Sequence, residues 1–140
     1  RRFAFTADVF HWYDYGNSTL YNNFNTAKDT VIAGPWVSSS DISPYQLGVS
    51  VLDTGAVGNG CSFKLFSCTA ANWTNQVLTT EALTATITTT ANANLQVSTV
   101  DNASVNTITI PAYKLFGVIM TSTANGAMNG LSVTVQAEEV

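Results

Sequence analysis

His11 is the single histidine in a chain of 140 residues, so any triad or metal site that depends on imidazole has to be built around it. Asp8, His11 and Asp14 follow one another at three-residue spacing. That spacing would gather three ligands on one side of a helix but throws them to alternating faces of a strand, and a trio with no Cys and no second His is a weak transition-metal site. No Ser stands in a G-x-S-x-G turn and no second imidazole is available as a base, which leaves nucleophilic hydrolysis without candidates. Glycoside hydrolysis needs a pair of carboxylates. Asp29, Asp41, Asp53, Glu81 and Asp101 are the possible members, yet nothing in their spacing selects a pair, and Asp53 and Asp101 are expected to head turns and bond their own backbone. Gly55, Gly58 and Gly60 fall between predicted strands instead of leading into a helix, so they make no phosphate cradle. The expectation is a protein with no enzymatic activity, no catalytic residues, no cofactor and no metal.

Binding chemistry has a few more candidates. Trp36 and Trp73, with Asn and Asp nearby, could stack on sugar rings, the way β-sandwiches hold carbohydrate; burial or a place in an interface is the competing role. Asn17, Asn72 and Asn102 begin N-x-[ST] sequons, but 13 Asn and 32 Ser or Thr in 140 residues give about three by chance. Cys61 and Cys68 are the only cysteines. If Ser62 to Cys68 is a strand, seven residues at about 3.3 Å each hold the two sulfurs roughly 23 Å apart and on opposite faces. That excludes a mutual disulfide, and reduced cysteines suit assembly in a cytoplasm. Five basic residues spread from Arg1 to Lys114 cannot form the clustered patch that neutralises phosphates, so nucleic acid is not an expected partner. The longest apolar stretch, Leu115 to Met120, is far below the roughly 20 residues of a membrane helix. The opening Arg1-Arg2, in place of Met, is expected of a chain cut by a protease or preceded by further residues.

The elements that must carry these residues follow from composition and periodicity. Hydrophobic residues make up 46% and charged residues 10%, with a net charge of -4. There are 20 Thr, 12 Ser and 13 Asn, while the Lys, Glu and Arg that cover helix surfaces are scarce, which argues against long amphipathic helices and coiled coils. The aromatic content of 11% and the Val, Ile and Leu present exclude the signature of an unfolded chain, and the length fits one domain with a core of its own. Period-two alternation recurs almost throughout. It predicts strands over 3–9, 46–52, 62–68, 82–89, 93–100, 106–110, 114–122 and 130–137. Asp53-Thr54-Gly55, Gly58-Asn59-Gly60, Asp101-Asn102, Asn125-Gly126 and Asn129-Gly130 provide turns between them. Such spacing predicts an all-β chain: a single jelly-roll-like β-sandwich of about eight strands. Its expected core is Leu47, Val49, Val51, Phe63, Leu65, Ile87, Leu95, Val97, Ile108, Ile110, Leu115, Val118, Met120, Leu131, Val133 and Val135, with some of these facing outward if alternation is strict.

Residues 1–42 differ in texture and read as an aromatic-rich N-terminal arm and long loop, ahead of a sandwich over 43–140 that the strand 3–9 could join. No clean strand is expected between Tyr13 and Ser43. Phe3, Phe5, Phe10, Trp12, Tyr13, Tyr15, Tyr21 and Phe24 put eight large rings into 24 residues, each gaining roughly 1.5 to 3 kcal/mol on burial. They are therefore expected either to fold over their own sandwich or to contact a neighbouring subunit or shell.

From Ser43 onward the chain resembles the small β-sandwich proteins of tailed-phage virions, in particular capsid decoration (cement) proteins. The resemblance rests on the strand-turn-strand segment LGVSVLDTGAVGNGCSFKLFSC, the stretch Asn72 to Val77, and ITIPAYKLFGVIMTSTANGAMNGLSVTVQ, where a Tyr-led apolar strand returns through a Gly-rich turn. It covers about 90 residues in strand order and texture. Leu115, Phe116 and Gly117 follow Lys114 where such proteins usually carry Arg, which leaves that face more apolar, and the first 40 residues match no part of the family. The resemblance implies a virion structural protein that binds and stabilises the major capsid protein of a double-stranded DNA phage. It further implies a homo-oligomer, with a trimer favoured, placed on the capsid surface and assembled in the host cytoplasm. A net charge of -4 on such a protein would avoid attraction to packaged DNA. The alternative is a carbohydrate-binding β-sandwich module, a phage or cell-surface lectin.

Overall fold

A computed structural model of the chain describes residues 1–9, 29–51, 60–75, 77–88, 97–104, 106–122 and 131–140. Eight strands run as β1 (Arg2–Val9), β2 (Asp29–Val37), β3 (Ile42–Val51), β4 (Gly60–Cys68), β5 (Thr79–Thr88), β6 (Val97–Asn102), β7 (Leu115–Ser122) and β8 (Leu131–Glu139), with a one-turn helix α1 (Ala70–Thr74) between β4 and β5. One sheet has the order β1-β8-β3-β6 and the other β2-β7-β4-β5, antiparallel throughout. Consecutive strands alternate between the two sheets except at β4 and β5, which pair within one sheet, and this is the winding of a jelly roll.

Alternation in the sequence sets which face of each strand is buried. In β8, Val133, Val135 and Ala137 are fully buried while Ser132, Thr134 and Gln136 lie on the other face. Phe63, Leu65, Leu83, Ala85, Val118 and Met120 line the facing sheet, and Leu47, Val49 and Val51 complete the layer between. In β7 the strict alternation turns Phe116 inward and Leu115 outward, correcting the placement of Leu115 in the core. Ile32, Ile42, Leu83, Phe116 and Ala137 are core residues that the periodicity did not single out. The side chains of Ile87, Val97 and Leu131 and the whole of Leu95 lie outside the described residues.

Two further expectations are corrected. Asp29–Val37 is a strand although no clean strand was expected between Tyr13 and Ser43. Its Gly34-Pro35 pair reads as a turn signal, but β2 is a sheet edge, where a residue without an N–H leaves no ladder position empty. The register against β7 shifts twice across this stretch, and Gly34 takes the left-handed φ of 86°. Residues 106–110, in turn, are no strand. Asn106 sits at φ 67°, a conformation Asn tolerates better than most residues, and its N–H donates to the buried Ser43 Oγ at 2.7 Å. Ile108 and Ile110 still reach the core, with Ile110 bridging Ile42.

A second, smaller apolar cluster lies on the outer side of the β2-β7-β4-β5 sheet. Alternation along β4 turns Phe63 and Leu65 into the main core and Phe66 and Cys68 to the outer face, where Leu78 and Ile119 join them with Trp73, Val31 and Leu115 packed around. Helix α1 closes over it. Its N-cap Thr69 accepts the Asn72 N–H at 3.1 Å, and Trp73 stacks on Phe66 with ring centroids 6.1 Å apart. Gly117 allows this packing, because a Cβ there would meet the Ala33 carbonyl oxygen and lie 2.9 Å from the Phe66 ring.

The two ends of the sandwich differ. Connections 10–28, 52–59, 89–96 and 123–130 all leave from one end, where Val9 pairs with Leu131, Val51 with Val97, Asp29 with Thr121 and Gly60 with Thr88. The opposite end holds the β2–β3 turn, α1 and the β6–β7 connection. It is knotted by backbone bonds: Ile42 and Ile110 exchange N–H···O bonds of 3.0 and 2.8 Å, Tyr113 N–H reaches Ser38 O at 2.8 Å, and Ala103 N–H reaches Tyr45 O at 2.9 Å.

Candidate interaction surface

Among the described residues, the carboxylates that could have formed an acid and base pair, Asp41, Glu81 and Asp101, are each engaged elsewhere. Asp41 Oδ1 accepts the Ala112 N–H at 2.8 Å, fixing the turn before β7. Glu81 accepts the hydroxyl of the fully buried Ser67. Asp101 belongs to strand β6 and does not head a turn; its Oδ2 accepts the Thr84 N–H of β5 at 2.8 Å. Asp53, His11 and Asp14 fall outside the described residues, as do the side chains of Asp8 and Asp29. Among the described residues, no three of His, Cys, Asp and Glu come together as metal ligands. Cys61 and Cys68 occupy opposite ends of β4, and Cys68 is buried and free. Burial pushes its thiol above the ordinary value, with Lys114 pulling the other way.

Both tryptophans considered for sugar stacking are used in packing. Trp73 lies on Phe66, and Trp36 is wedged between Phe5 and Phe116 at centroid distances of 5.7 and 5.8 Å. Of the eight N-terminal aromatics, Phe3 and Phe5 are described: both are half-buried and pack against the core, Phe5 edge-on to Phe116 at 4.8 Å. Phe10, Trp12, Tyr13, Tyr15, Tyr21 and Phe24 lie outside the described residues.

What the structure does assemble is a set of sheet edges in different states. The β5 and β6 edges lie against each other, and the Asp101 carboxylate occupies an N–H of β5. The β2 edge is broken by Pro35 and by two register shifts. The β1 edge is regular: all eight residues pair with β8 without a shift. Along it the outer face carries Arg2, Ala4 and Thr6, all exposed. Arg2 is tied to Glu138 by a 3.0 Å ion pair, and its guanidinium lies over the Tyr45 ring. The missing signal for this contrast was the identity of the edge strands, which local periodicity does not encode.

No protein-family model matches the chain. No curated protein matches it either. Among solved structures it is similar to a chain of infectious bursal disease virus, Gx strain, at 12% identity with a TM-score of 0.51; the match covers 97% of this chain and 32% of that one. It is also similar to the Eiger TNF of S. frugiperda (11% identity, TM-score 0.48, 99% and 93% covered) and to a carbohydrate-binding module, CBM28, specific for non-crystalline cellulose (14%, 0.38, 76% and 61%). The chain spans about a third of the length of the viral chain. Of these three likenesses, the first exceeds a TM-score of 0.5, and at that identity it shows the fold: an all-β jelly roll of the kind found in a viral particle protein. That architecture also serves lectins and cupins, so it does not by itself define an activity.

Proposed function

We propose that the chain is a virion structural protein, a jelly-roll subunit of a capsid surface. In finer form it is a decoration protein that binds the outside of a major capsid protein shell and stabilises it, in a tailed double-stranded DNA phage. The observation that carries the proposal is the strand order β1-β8-β3-β6 over β2-β7-β4-β5, together with the likeness of nearly the whole chain to part of a viral particle protein. A shell subunit needs a rigid sandwich and surfaces that meet neighbours. The described acidic groups fit that role, since Asp41, Glu81 and Asp101 all fasten backbone or buried hydroxyls. The carbohydrate-binding alternative loses support from the packing of Trp36 and Trp73 against Phe116 and Phe66.

The test is quantitative mass spectrometry of particles purified from the host that carries the gene. A fixed ratio of this chain to the major shell subunit, kept through a density gradient, is the expected result. Adding the purified chain to particles stripped of it should raise their melting temperature. A chain absent from particles but retained on a glycan array would overturn the proposal in favour of the lectin.

A further inference from the structure

We propose that β1 is a self-complementary edge at which two copies of this chain pair, strand against strand, about a two-fold axis at Phe5. The inference stands on backbone geometry and does not depend on the virion reading. Glu139 N–H donates to Arg1 O at 2.8 Å, so the odd-numbered residues of β1 direct their backbone groups to β8. By the period of two, Arg2, Ala4, Thr6 and Asp8 direct theirs away from the sheet. No other described strand takes these groups up.

A second β1 running antiparallel could satisfy them in registers that place even residues opposite even residues. One such register pairs the whole strand with itself: Arg2 with the partner's Asp8, Ala4 with the partner's Thr6, and Phe5 with the partner's Phe5 on the axis. In it a basic position of the sequence at one end of the strand stands opposite an acidic position at the other, twice, by symmetry. Shifting by one step in either direction puts Arg2 opposite Thr6 or Ala4 opposite Asp8, losing the charge match and shortening the ladder. The outer-face residues between the charges, Ala4 and Thr6, are small enough to lie flat across the junction. On the inner face Phe3 and Phe5 are half-buried along the open side of the sandwich, and the partner's rings would continue that layer. The remaining edges do not compete, because β5 is capped by Asp101 and β2 is interrupted at Pro35.

The full chain at increasing concentration, measured by light scattering after size-exclusion chromatography, should shift from the 14.9 kDa of one chain to twice that mass. Thr6→Pro removes an outward N–H and no bond to β8. It should weaken dimerisation at least about tenfold while leaving the far-ultraviolet circular dichroism and melting curve close to wild type. The double variant A4C/T6C tests the register and keeps the test decisive if Thr6→Pro does not fold. Under mild oxidation it should form a covalent dimer, whereas A4C alone, T6C alone and the wild type with its native cysteines should not. A chain that stays monomeric at all concentrations, a higher oligomer indifferent to Thr6→Pro, or cross-linking by either single cysteine as fast as by the pair would each overturn the proposal. So would a monomer whose β1 edge is protected from hydrogen exchange only when shells are added, which would assign the edge to the shell.

Discussion

Gly117 has no side chain because two neighbours occupy the space, the Ala33 carbonyl of β2 and the Phe66 ring of β4. The first is backbone and cannot rotate away. Gly117→Ala is therefore expected to destabilise the protein by about 3 kcal/mol or more, read as a lower denaturation midpoint with an unchanged slope. Cys68 makes a different kind of statement. Burial raises its thiol pKa above that of the unfolded chain, so the folded protein keeps the proton where the unfolded chain releases it. The stability from this group is whole below the ordinary thiol value of about 8.5 and is lost as pH rises through the raised folded value. Denaturation midpoints followed from neutral to alkaline pH should fall more steeply for wild type than for Cys68→Ala. Alkylation of Cys68, tracked on its peptide by mass spectrometry, should be slow until the protein unfolds.

At the scale of elements, the cap of α1 is the cheapest point of failure for the outer cluster. Thr69→Ala removes the acceptor of the Asn72 N–H, a loss of about 1 kcal/mol. Because α1 carries Trp73 onto Phe66, the change should also shift tryptophan emission to the red and raise local hydrogen exchange over 69–78 before the sandwich melts. This small element was not legible in the sequence: five residues carry no helical period, and Thr69-x-x-Asn72 is one of many such spacings in a Thr-rich and Asn-rich chain. Strands were legible where a single face is buried, as in β8, where Val133, Val135 and Ala137 alternate with Ser132, Thr134 and Gln136. They were not legible where local signals conflict. In β2 Gly34 and Pro35 follow closely on Val31 and Ile32, so no clean alternation marks the strand, and at 106–110 alternation suggested a strand that the left-handed Asn106 forbids. The surface was harder still. Asp101 looked like a turn residue because its partner, Thr84, lies 17 positions away on the other sheet, and nothing local announces that pairing.

At the scale of the whole molecule, the jelly roll was reachable from strand count and spacing, whereas the state of each sheet edge was set by topology and could be read only once the order β1-β8-β3-β6 and β2-β7-β4-β5 was known. The same order has a consequence for how such a protein can change over generations. The strand ends that flank 10–28, 52–59, 89–96 and 123–130 lie at one pole, and in general each doubling of a loop's length costs only roughly 0.6 kcal/mol in closure entropy. The opposite pole is closed by the bonds among Ile42, Ile110, Ser38, Tyr113, Asp41 and Ala112, where an inserted residue would break several at once. Insertions and deletions are thereby channelled to a single pole. A lineage of such proteins can diversify what that pole presents while the other pole and the β1 edge keep one geometry.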